Sequence, residues 1–361
     1  MTRATACGLL MVALVLDGCS PAYVLRAGYE EACILWRREP IERVLARTDL
    51  DASTRSKLEL VLAVRRFAQE RLALRVDGSY ASLAHVDADQ TVHVVTGAYR
   101  LRLQSYTWWF PIVGRVPYKG YFSEAAAQAE AAGLRERGYD ANVRDSVAFS
   151  TLGWFADPLL SSLLRYDRVT LAEVIIHELL HNTTYLAGHA DFDESFANFV
   201  GRRGAIAFFA ERQEEAALIQ ATDAWEDTLQ FSAFLVDFTA RLRAAYAAGI
   251  SLDERGRLFS AAQEQFRSLP RRSEYHRDFG TESLNNAVIL EDLAYNDRLQ
   301  VFEDLFQQSG SDLRTTIANV IVAVAGGSGD PFATVQGLVR ATVPVTARRA
   351  LSVLQGERPE A

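Results

Sequence analysis

Residues 170–181 read TLAEVIIHELLH, and this stretch decides both the fold and the chemistry that the chain supports. Thr170, with a glutamate three residues later, has the spacing of a capping box, so a helix is predicted to begin there. Four residues separate His177 from His181, which places both imidazoles on one face of the helix with Glu178 beside them. This HEXXH pattern predicts a zinc site.

The residue types in the motif indicate a division of roles. Zinc binds neutral imidazole and, with three protein ligands, keeps a fourth position for water, whose pKa it lowers. Glu178 is then the expected general base for attack of water on a carbonyl and the later proton donor to the leaving amine. A structural zinc site needs no such carboxylate, so the motif favours a zinc-dependent peptidase. Two alternatives stay open: a non-catalytic zinc-binding envelope lipoprotein, and a zinc hydrolase of non-peptide amides or epoxides.

A third ligand is required, and two candidates follow the motif: His189 and the acidic cluster DFDE at 191–194. In the metzincin pattern a glycine and a histidine stand three and six residues after the second histidine. Thr184 and Ala187 occupy those positions here, so His189 is out of register. The acidic cluster is therefore the favoured source of the ligand.

Helical hairpin geometry selects Glu194 within that cluster. If the chain turns at Gly188 and a second helix starts with Asp191 or Asp193 as its N-cap, Glu194 and His181 lie at nearly the same height. Asp193 then points about 100° away from Glu194 and serves at best to orient a ligand. A stripe of small residues continues the Glu194 face and would permit close packing: Ala197, Gly201 and Gly204 or Ala205.

The N-terminus resembles an export signal. Arg3 supplies a positive charge, and residues 6–16 form an apolar run that is too short to span a bilayer. Cys19 follows the run and a small residue, as in the lipobox of bacterial lipoproteins, which predicts a signal peptide at 1–18 and a lipid anchor on Cys19. Ser20 favours the outer membrane of the cell envelope, facing the periplasm. A plain secretory signal or an uncleaved anchor is the alternative.

Composition limits the partners. The net charge of −8 provides no basic surface for a phosphate backbone, so nucleic acid is not an expected partner, whereas a peptide substrate is compatible. A hydrophobic content of 49% is enough for a sizeable buried core, so the chain is expected to be globular. The sequence leaves the oligomeric state open.

Hydrophobic periodicity predicts an α+β domain over 19–361. The pattern is helical to about residue 75, mixed with short strands at about 76–160, and helical again in the zinc-site region at about 170–361. The resulting fold class is a predominantly helical, zincin-like metallopeptidase with a small sheet preceding the zinc-binding helix.

Other residues are candidates for contact with the substrate. A strand upstream of the metal helix could pair with an extended peptide backbone, and four residues would form it: Ser150, Thr151, Leu152 and Gly153. Asn285 and Asn286 are further candidates, with cap or turn roles as the alternative. Several tyrosines, among them Tyr118, Tyr185 and Tyr295, could donate to an oxyanion, and the sequence does not choose among them.

Longer segments of the chain resemble a bacterial aminopeptidase family of the gluzincin type, many of whose members are lipoproteins. The resemblance rests on these segments: GCS at 18–20, WFP at 109–111, VPYKGYF at 116–122, STLGWF at 150–155, HELLH at 177–181, ESFA at 194–197 and LNNA at 284–287. It implies aminopeptidase activity, Zn²⁺ as cofactor, and His177, His181 and Glu194 as ligands. Asp193 stands where that family usually has asparagine.

Overall fold

The computed structural model describes six stretches of the chain: residues 36–86, 93–110, 114–121, 123–145, 157–327 and 329–341. The predicted signal peptide, Cys19 and the proposed substrate strand at 150–153 lie outside them. The described residues are mostly helical with small sheets, which confirms the predicted α+β class.

Eleven α-helices form within these stretches: α1 (Ile41–Leu45), α2 (Ala52–Leu72), α3 (Glu124–Glu136), α4 (Arg168–Thr183), α5 (Ala190–Glu211), α6 (Glu215–Ala247), α7 (Leu252–Arg267), α8 (Asn286–Asn296), α9 (Leu299–Gln308), α10 (Leu313–Ala325) and α11 (Pro331–Arg340). The same stretches contain eight strands: β1 (Glu39–Pro40), β2 (Ser82–Ala84), β3 (His93–Tyr99), β4 (Trp108–Phe110), β5 (Gly114–Val116), β6 (Tyr118–Tyr121), β7 (Tyr139–Asp145) and β8 (Leu159–Leu160). In the described part of the chain, no helix combines the length and the apolar character that crossing a membrane requires.

The strands form three small sheets. The first has the order β1-β2-β8, in which β2 pairs antiparallel with β1 and parallel with β8. The second has the order β6-β3-β7 and is antiparallel throughout, with Val95 of β3 opposite Lys119 and Val143. The third is the antiparallel pair β4-β5. All eight strands precede α4 in the sequence, and β8 lies just before it, in agreement with the prediction of a small sheet that precedes the motif helix.

The second sheet is covered on both faces. Val95 and Ala141 point to one face and form an apolar cluster with Leu134 of α3. Side chains alternate along a strand, so Asn142 points to the opposite face, where its amide donates to Glu291 of α8 at 3.2 Å. Helix α8 therefore links the sheet to the rest of the molecule.

Helix α4 begins earlier than the capping-box spacing predicts. Its N-cap is Asp167, whose carboxylate accepts the backbone N–H groups of Val169 and Thr170 at 2.9 and 3.1 Å. The predicted start at Thr170 is wrong because an aspartate three residues upstream already satisfies those amides. Glu173, which would have completed the box, is instead buried in the interior.

Helix α4 lies in the main hydrophobic core, and most of its circumference is apolar and inaccessible. A helix that is apolar nearly all round is stable only when other elements surround it. One stripe stays partly accessible: Thr170, Val174, His177 and Glu178. The histidine motif therefore reaches the surface along a single narrow face of a buried helix.

Helices α4 and α5 form a hairpin whose turn contains Gly188 at φ +88°, a conformation that glycine adopts easily. The N-cap of α5 is His189, without a side-chain cap hydrogen bond, so the predicted N-cap at Asp191 or Asp193 is wrong. Both aspartates lie inside the first turn, where negative charge is favourable.

The small residues of α5 allow it to approach α4 closely, as the sequence predicts. A Cβ atom on Gly201 would lie 2.7 Å from the backbone oxygen of Glu173 and 3.2 Å from Cβ of His177. One turn later, a Cβ on Gly204 would lie 2.9 Å from Cδ1 of Ile176. Larger residues at these positions would push the two helices apart.

Candidate metal centre

The hairpin brings His177, His181 and Glu194 together. Nε2 of His177 lies 3.1 Å from Nε2 of His181, and Oε2 of Glu194 lies 3.2 and 3.7 Å from those two nitrogens. The two histidines come from consecutive turns of α4, and the glutamate comes from the first turns of α5. These three side chains form a group that could hold a metal ion.

The spacing of the three ligand atoms can be compared with what an ion requires. Two atoms bound about 2.1 Å from an ion and separated by the tetrahedral angle lie about 3.4 Å apart. The observed separations of 3.1, 3.2 and 3.7 Å lie around that value. Two imidazoles and one carboxylate are also a donor set that zinc accepts. The residues therefore fit a tetrahedral ion that leaves one position open.

The carboxylate of Glu194 and the imidazoles of His177 and His181 influence one another's pKa values through their direct contacts. Burial disfavours ionisation of Glu194, but its hydrogen bonds to His177 and His181 outweigh this and hold the pKa of its carboxyl well below the usual range. Burial also opposes protonation of His181, yet Glu194 raises the pKa of that imidazole above its ordinary value. Glu194 thus supplies the negative charge that two neutral imidazoles lack.

Glu178 lies beside this group and is partly accessible. No hydrogen bond engages its carboxylate within the described residues. Burial raises the pKa of Glu178, although both neighbouring histidines oppose that shift. The carboxylate of the buried Asp157, whose backbone oxygen accepts the N–H of Tyr80 at 2.7 Å, adds a negative charge that raises the same pKa. The environment therefore leaves Glu178 able to exchange a proton.

Asp193 and His189 lie outside the group. Asp193 accepts the backbone N–H of Leu186 with both carboxylate oxygens, at 3.0 and 3.1 Å, and so fastens the connection between α4 and α5. Burial raises the pKa of Asp193 to about 7, against the opposing influence of that N–H and of His181. His189 is exposed at the start of α5.

Tyr295 and Arg144 complete the surroundings of His177. The ring centroid of Tyr295, near the end of α8, lies 6.1 Å from that of His177. Its hydroxyl accepts a hydrogen bond from Nη2 of Arg144 at 3.4 Å, and its backbone oxygen accepts from Asn198 of α5 at 2.8 Å. Burial, reinforced by the charge of Glu194, raises the pKa of Tyr295 well above its ordinary value, so the hydroxyl keeps its proton.

The other tyrosines considered from the sequence lie further out. The side chains of Tyr118 and Tyr185 are about half exposed. Burial and then the charge of Glu194 raise the pKa of Tyr118 above its ordinary value. Of these three tyrosines, Tyr295 is half-buried and lies beside His177.

Arg144 lines the cleft beside His177 and Glu178 and also a separate cavity of about 650 Å³. Arg144 forms an ion pair with Glu291, one of several acidic side chains in its wall: Asp278, Glu282, Glu291 and Asp292. Burial raises the pKa of Asp292 to about 8, and the charges of Glu291 and Glu282 act in the same direction.

The two predicted asparagines have structural contacts. Asn285 is the N-cap of α8, and its side chain accepts the N–H groups of Ala287 and Val288 while it lines the acidic cavity. Asn286 is fully buried; its amide donates to the backbone oxygen of Tyr99 and accepts from the hydroxyl of Tyr246. Because these hydrogen bonds occupy Asn286, it holds α8 against the sheet and does not face a substrate cleft.

Several residues come together around the centre in a way that no local sequence signal indicates. The buried Glu173 and Arg202 and the half-buried Tyr275 form a polar group one helical turn from His177. Arg144 and Tyr295 come from a strand and a helix far apart in the sequence. Their convergence follows from tertiary packing, which spacing along the chain does not reveal.

Comparison with known proteins identifies the family. A family model described as "Putative aminopeptidase" matches residues 22–325, so the chain belongs to that family. The match extends over the second sheet, the helical hairpin and α8. Comparison with curated proteins and with solved structures found no match for this chain.

Proposed function

We propose that this member of the aminopeptidase family is a zinc-dependent peptidase with a zincin-like arrangement of its active site. The observation that supports it best is the convergence of His177, His181 and Glu194 with Glu178 beside them, partly accessible and, among the described residues, without a hydrogen bond to its carboxylate. His177, His181 and Glu194 would hold the ion. Zinc supplies Lewis acidity toward water and toward a carbonyl oxygen when it is bound.

Glu178 carries the proton transfers in this proposal. Its carboxylate accepts a proton from the attacking water and returns it to the nitrogen of the leaving amine. A carboxylate held by hydrogen bonds would be a weaker base, and Glu178 has none within the described residues. Its burial also favours a pKa above that of an ordinary glutamate, which eases the return of the proton.

Tyr295 is suited to stabilise the oxyanion that develops on the scissile carbonyl. Its hydroxyl keeps its proton and is polarised by the hydrogen bond that it accepts from Arg144. Asn198 and Arg144 fix the position of Tyr295 from two sides, so little reorganisation is needed when charge develops.

Aminopeptidase specificity, the finer part of the proposal, is suggested by the family description. An assay that compares amino-acid anilides and peptides with free N-termini against the same compounds with blocked N-termini tests this specificity directly. We expect hydrolysis that is lost on dialysis with a chelator and restored by Zn²⁺, and that requires a free α-amine. Activity on blocked peptides would instead indicate an endopeptidase. A chelator-resistant activity would contradict the zinc assignment.

We further propose that Cys19 carries a lipid that anchors the protein in the bacterial cell envelope, facing the periplasm. The basis is the sequence around Cys19, which resembles a lipobox. Mass spectrometry of the mature N-terminus tests the assignment, with Cys19→Ser as the comparison. The variant should leave the membrane fraction, whereas an unmodified terminus beyond residue 19 in the wild-type protein would exclude lipidation.

A further inference from the structure

A cleft of about 290 Å³ opens beside His177 and Glu178 and follows the accessible stripe of α4 toward Thr170. Tyr166, Tyr275 and Tyr295 contribute aromatic walls, and Val174 contributes an apolar one. A cleft that leaves the reacting groups along one helix is suited to hold a side chain of a bound peptide. Its chemical character is set by the residues at its far end.

Two oppositely charged side chains line that part of the cleft. Glu173 and Arg202 are only 7% and 8% exposed, and Nη1 of Arg202 lies 3.5 Å from Oε2 of Glu173. Oε2 also accepts the hydroxyl of Tyr275 at 3.0 Å, and Nε of Arg202 donates to Asn198 at 3.0 Å. The pair is thus fixed from both sides.

Each member of the pair retains one buried atom without a hydrogen bond. Within the described residues, neither Oε1 of Glu173 nor Nη1 of Arg202 has a hydrogen-bond partner. Buried polar groups are almost always hydrogen-bonded in native proteins, and both residues line the cleft, so the two unpaired atoms indicate a missing partner there. That partner must offer one donor and one acceptor.

We propose that this cleft is a specificity pocket for a substrate side chain that ends in a primary carboxamide. The inference rests on the proposed peptidase function. The amide NH₂ donates to Oε1 of Glu173, and the amide oxygen accepts from Nη1 of Arg202. Glu173 precedes His177 by one helical turn, about 6 Å along the axis, so glutamine fits better than the shorter asparagine.

The charge pair disfavours the alternatives. A carboxylate side chain gains Arg202 but is repelled by Glu173, and an ammonium group gains Glu173 but is repelled by Arg202. An aliphatic side chain of the same length leaves both buried atoms unpaired, which strongly disfavours binding. Only an uncharged group with both functions satisfies the two residues at once.

The first test uses the wild-type, zinc-loaded protein and needs no variant. Peptides that carry glutamine, glutamate, lysine or norleucine on either side of the scissile bond are compared by kcat/KM. We expect glutamine to exceed the other three by at least tenfold at one of the two positions. Equal rates for glutamine and norleucine at both positions, or a preference for a charged side chain, would overturn the pocket.

Substitution of the pair should change the preference in opposite directions. Glu173→Gln leaves Arg202 as the only charge, so glutamate should become the best substrate; Arg202→Met leaves Glu173, so lysine should. Arg203→Met is the matched control, because Arg203 pairs with Glu303 and does not line the cleft. Circular dichroism checks folding, and if a variant does not fold, the wild-type series still decides.

Binding separates this inference from the proposed function. Titration calorimetry with the same peptides and Glu178→Gln protein measures the pocket without turnover. If the wild type hydrolyses no peptide, the proposed function fails, while tighter binding of the glutamine peptide still supports the pocket. If peptides are hydrolysed but glutamine has no advantage in rate or affinity, the pocket assignment fails and the function stands.

Discussion

Oε2 of Glu194 lies 3.2 Å from Nε2 of His177, on a different helix. The contact depends on how closely α4 and α5 pack, because the carboxylate is short and the helix axes must approach to within its reach. Gly201, two turns after Glu194 on the same face of α5, permits that approach, because a Cβ there would lie 3.2 Å from Cβ of His177. Metal-ligand geometry and glycine packing are therefore coupled in this hairpin.

Loss of the third ligand should abolish tight metal binding. Glu194→Ala removes the carboxylate that contacts both histidines, and we expect zinc affinity to fall by more than about 100-fold. Asp193→Ala should cost about tenfold or less, because Asp193 fastens the Leu186 backbone and touches neither histidine by hydrogen bond. His189→Ala, at an exposed position, is the control. Competition titration with a chromogenic chelator measures the zinc affinity of all three variants.

The opposite ranking would contradict this ligand set. Full zinc retention in Glu194→Ala, or loss of zinc in His189→Ala, would show that the third ligand is a different residue.

Replacement of the general base should separate catalysis from metal binding. Glu178→Gln keeps the size of the side chain but removes its ability to accept a proton, so turnover should fall by about 10² to 10⁴-fold with zinc content unchanged. Parallel measurement of initial rates and of bound zinc tests both parts. A variant that turns over at the wild-type rate would exclude Glu178 as the base, and one that loses its zinc would indicate that Glu178 is a ligand.

Two glycine substitutions should act with opposite sign. Gly201→Ala places a methyl group 2.7 Å from the backbone oxygen of Glu173, so we expect a loss of about 1–3 kcal/mol in the free energy of unfolding and weaker zinc binding. Gly256→Ala, in α7, meets no atom within 4 Å and should instead stabilise by about 0.5–1 kcal/mol. Urea unfolding of both variants gives the comparison; equal effects would mean that the contact at Gly201 relaxes freely.

The half-buried Asp292 predicts a dependence of stability on pH. Its pKa is raised to about 8 in the folded protein, so between about pH 4 and pH 8 the folded state holds a proton that the unfolded state has released. This group therefore lowers stability as the pH rises, by at most about 1.4 kcal/mol per unit. Asp292→Asn should gain stability relative to the wild type from pH 5 to pH 8.

Denaturant unfolding at several pH values measures this gain. Asp49→Asn, at an exposed position, is the control and should run parallel to the wild type. A constant difference between Asp292→Asn and the wild type across the range would show that Asp292 is ionised in the folded protein.

Local sequence features predict the centre of the molecule well. The i, i+4 spacing of His177 and His181 fixes their common face, and Gly188 has the left-handed conformation expected at the hairpin turn. The height argument that selects Glu194 depends only on the rise of two helices and the position of the turn. Such features are short-range, so they are readable from one sequence.

Features that depend on competition between residues or on contacts distant in the sequence cannot be predicted from one sequence. Asp167 outcompetes Thr170 as the N-cap, although both residues have side chains suited to capping. Burial converts Glu173 from an expected capping residue into the partner of Arg202. Asn286 is fully buried because its side chain lies where α8 packs against the sheet, and no local sequence pattern near residue 286 indicates that contact.

The position of all three ligand side chains between residues 177 and 194 bears on the order of assembly. Closing so short a loop costs little conformational entropy, and contacts of low sequence separation form early in folding. His177, His181 and Glu194 can therefore come together as soon as the α4–α5 hairpin forms. Tyr295 and Arg144 join only when long-range docking of α8 against the sheet is complete, so in the proposed enzyme a nascent chain would gain its candidate metal-binding group before the cleft around that group closes.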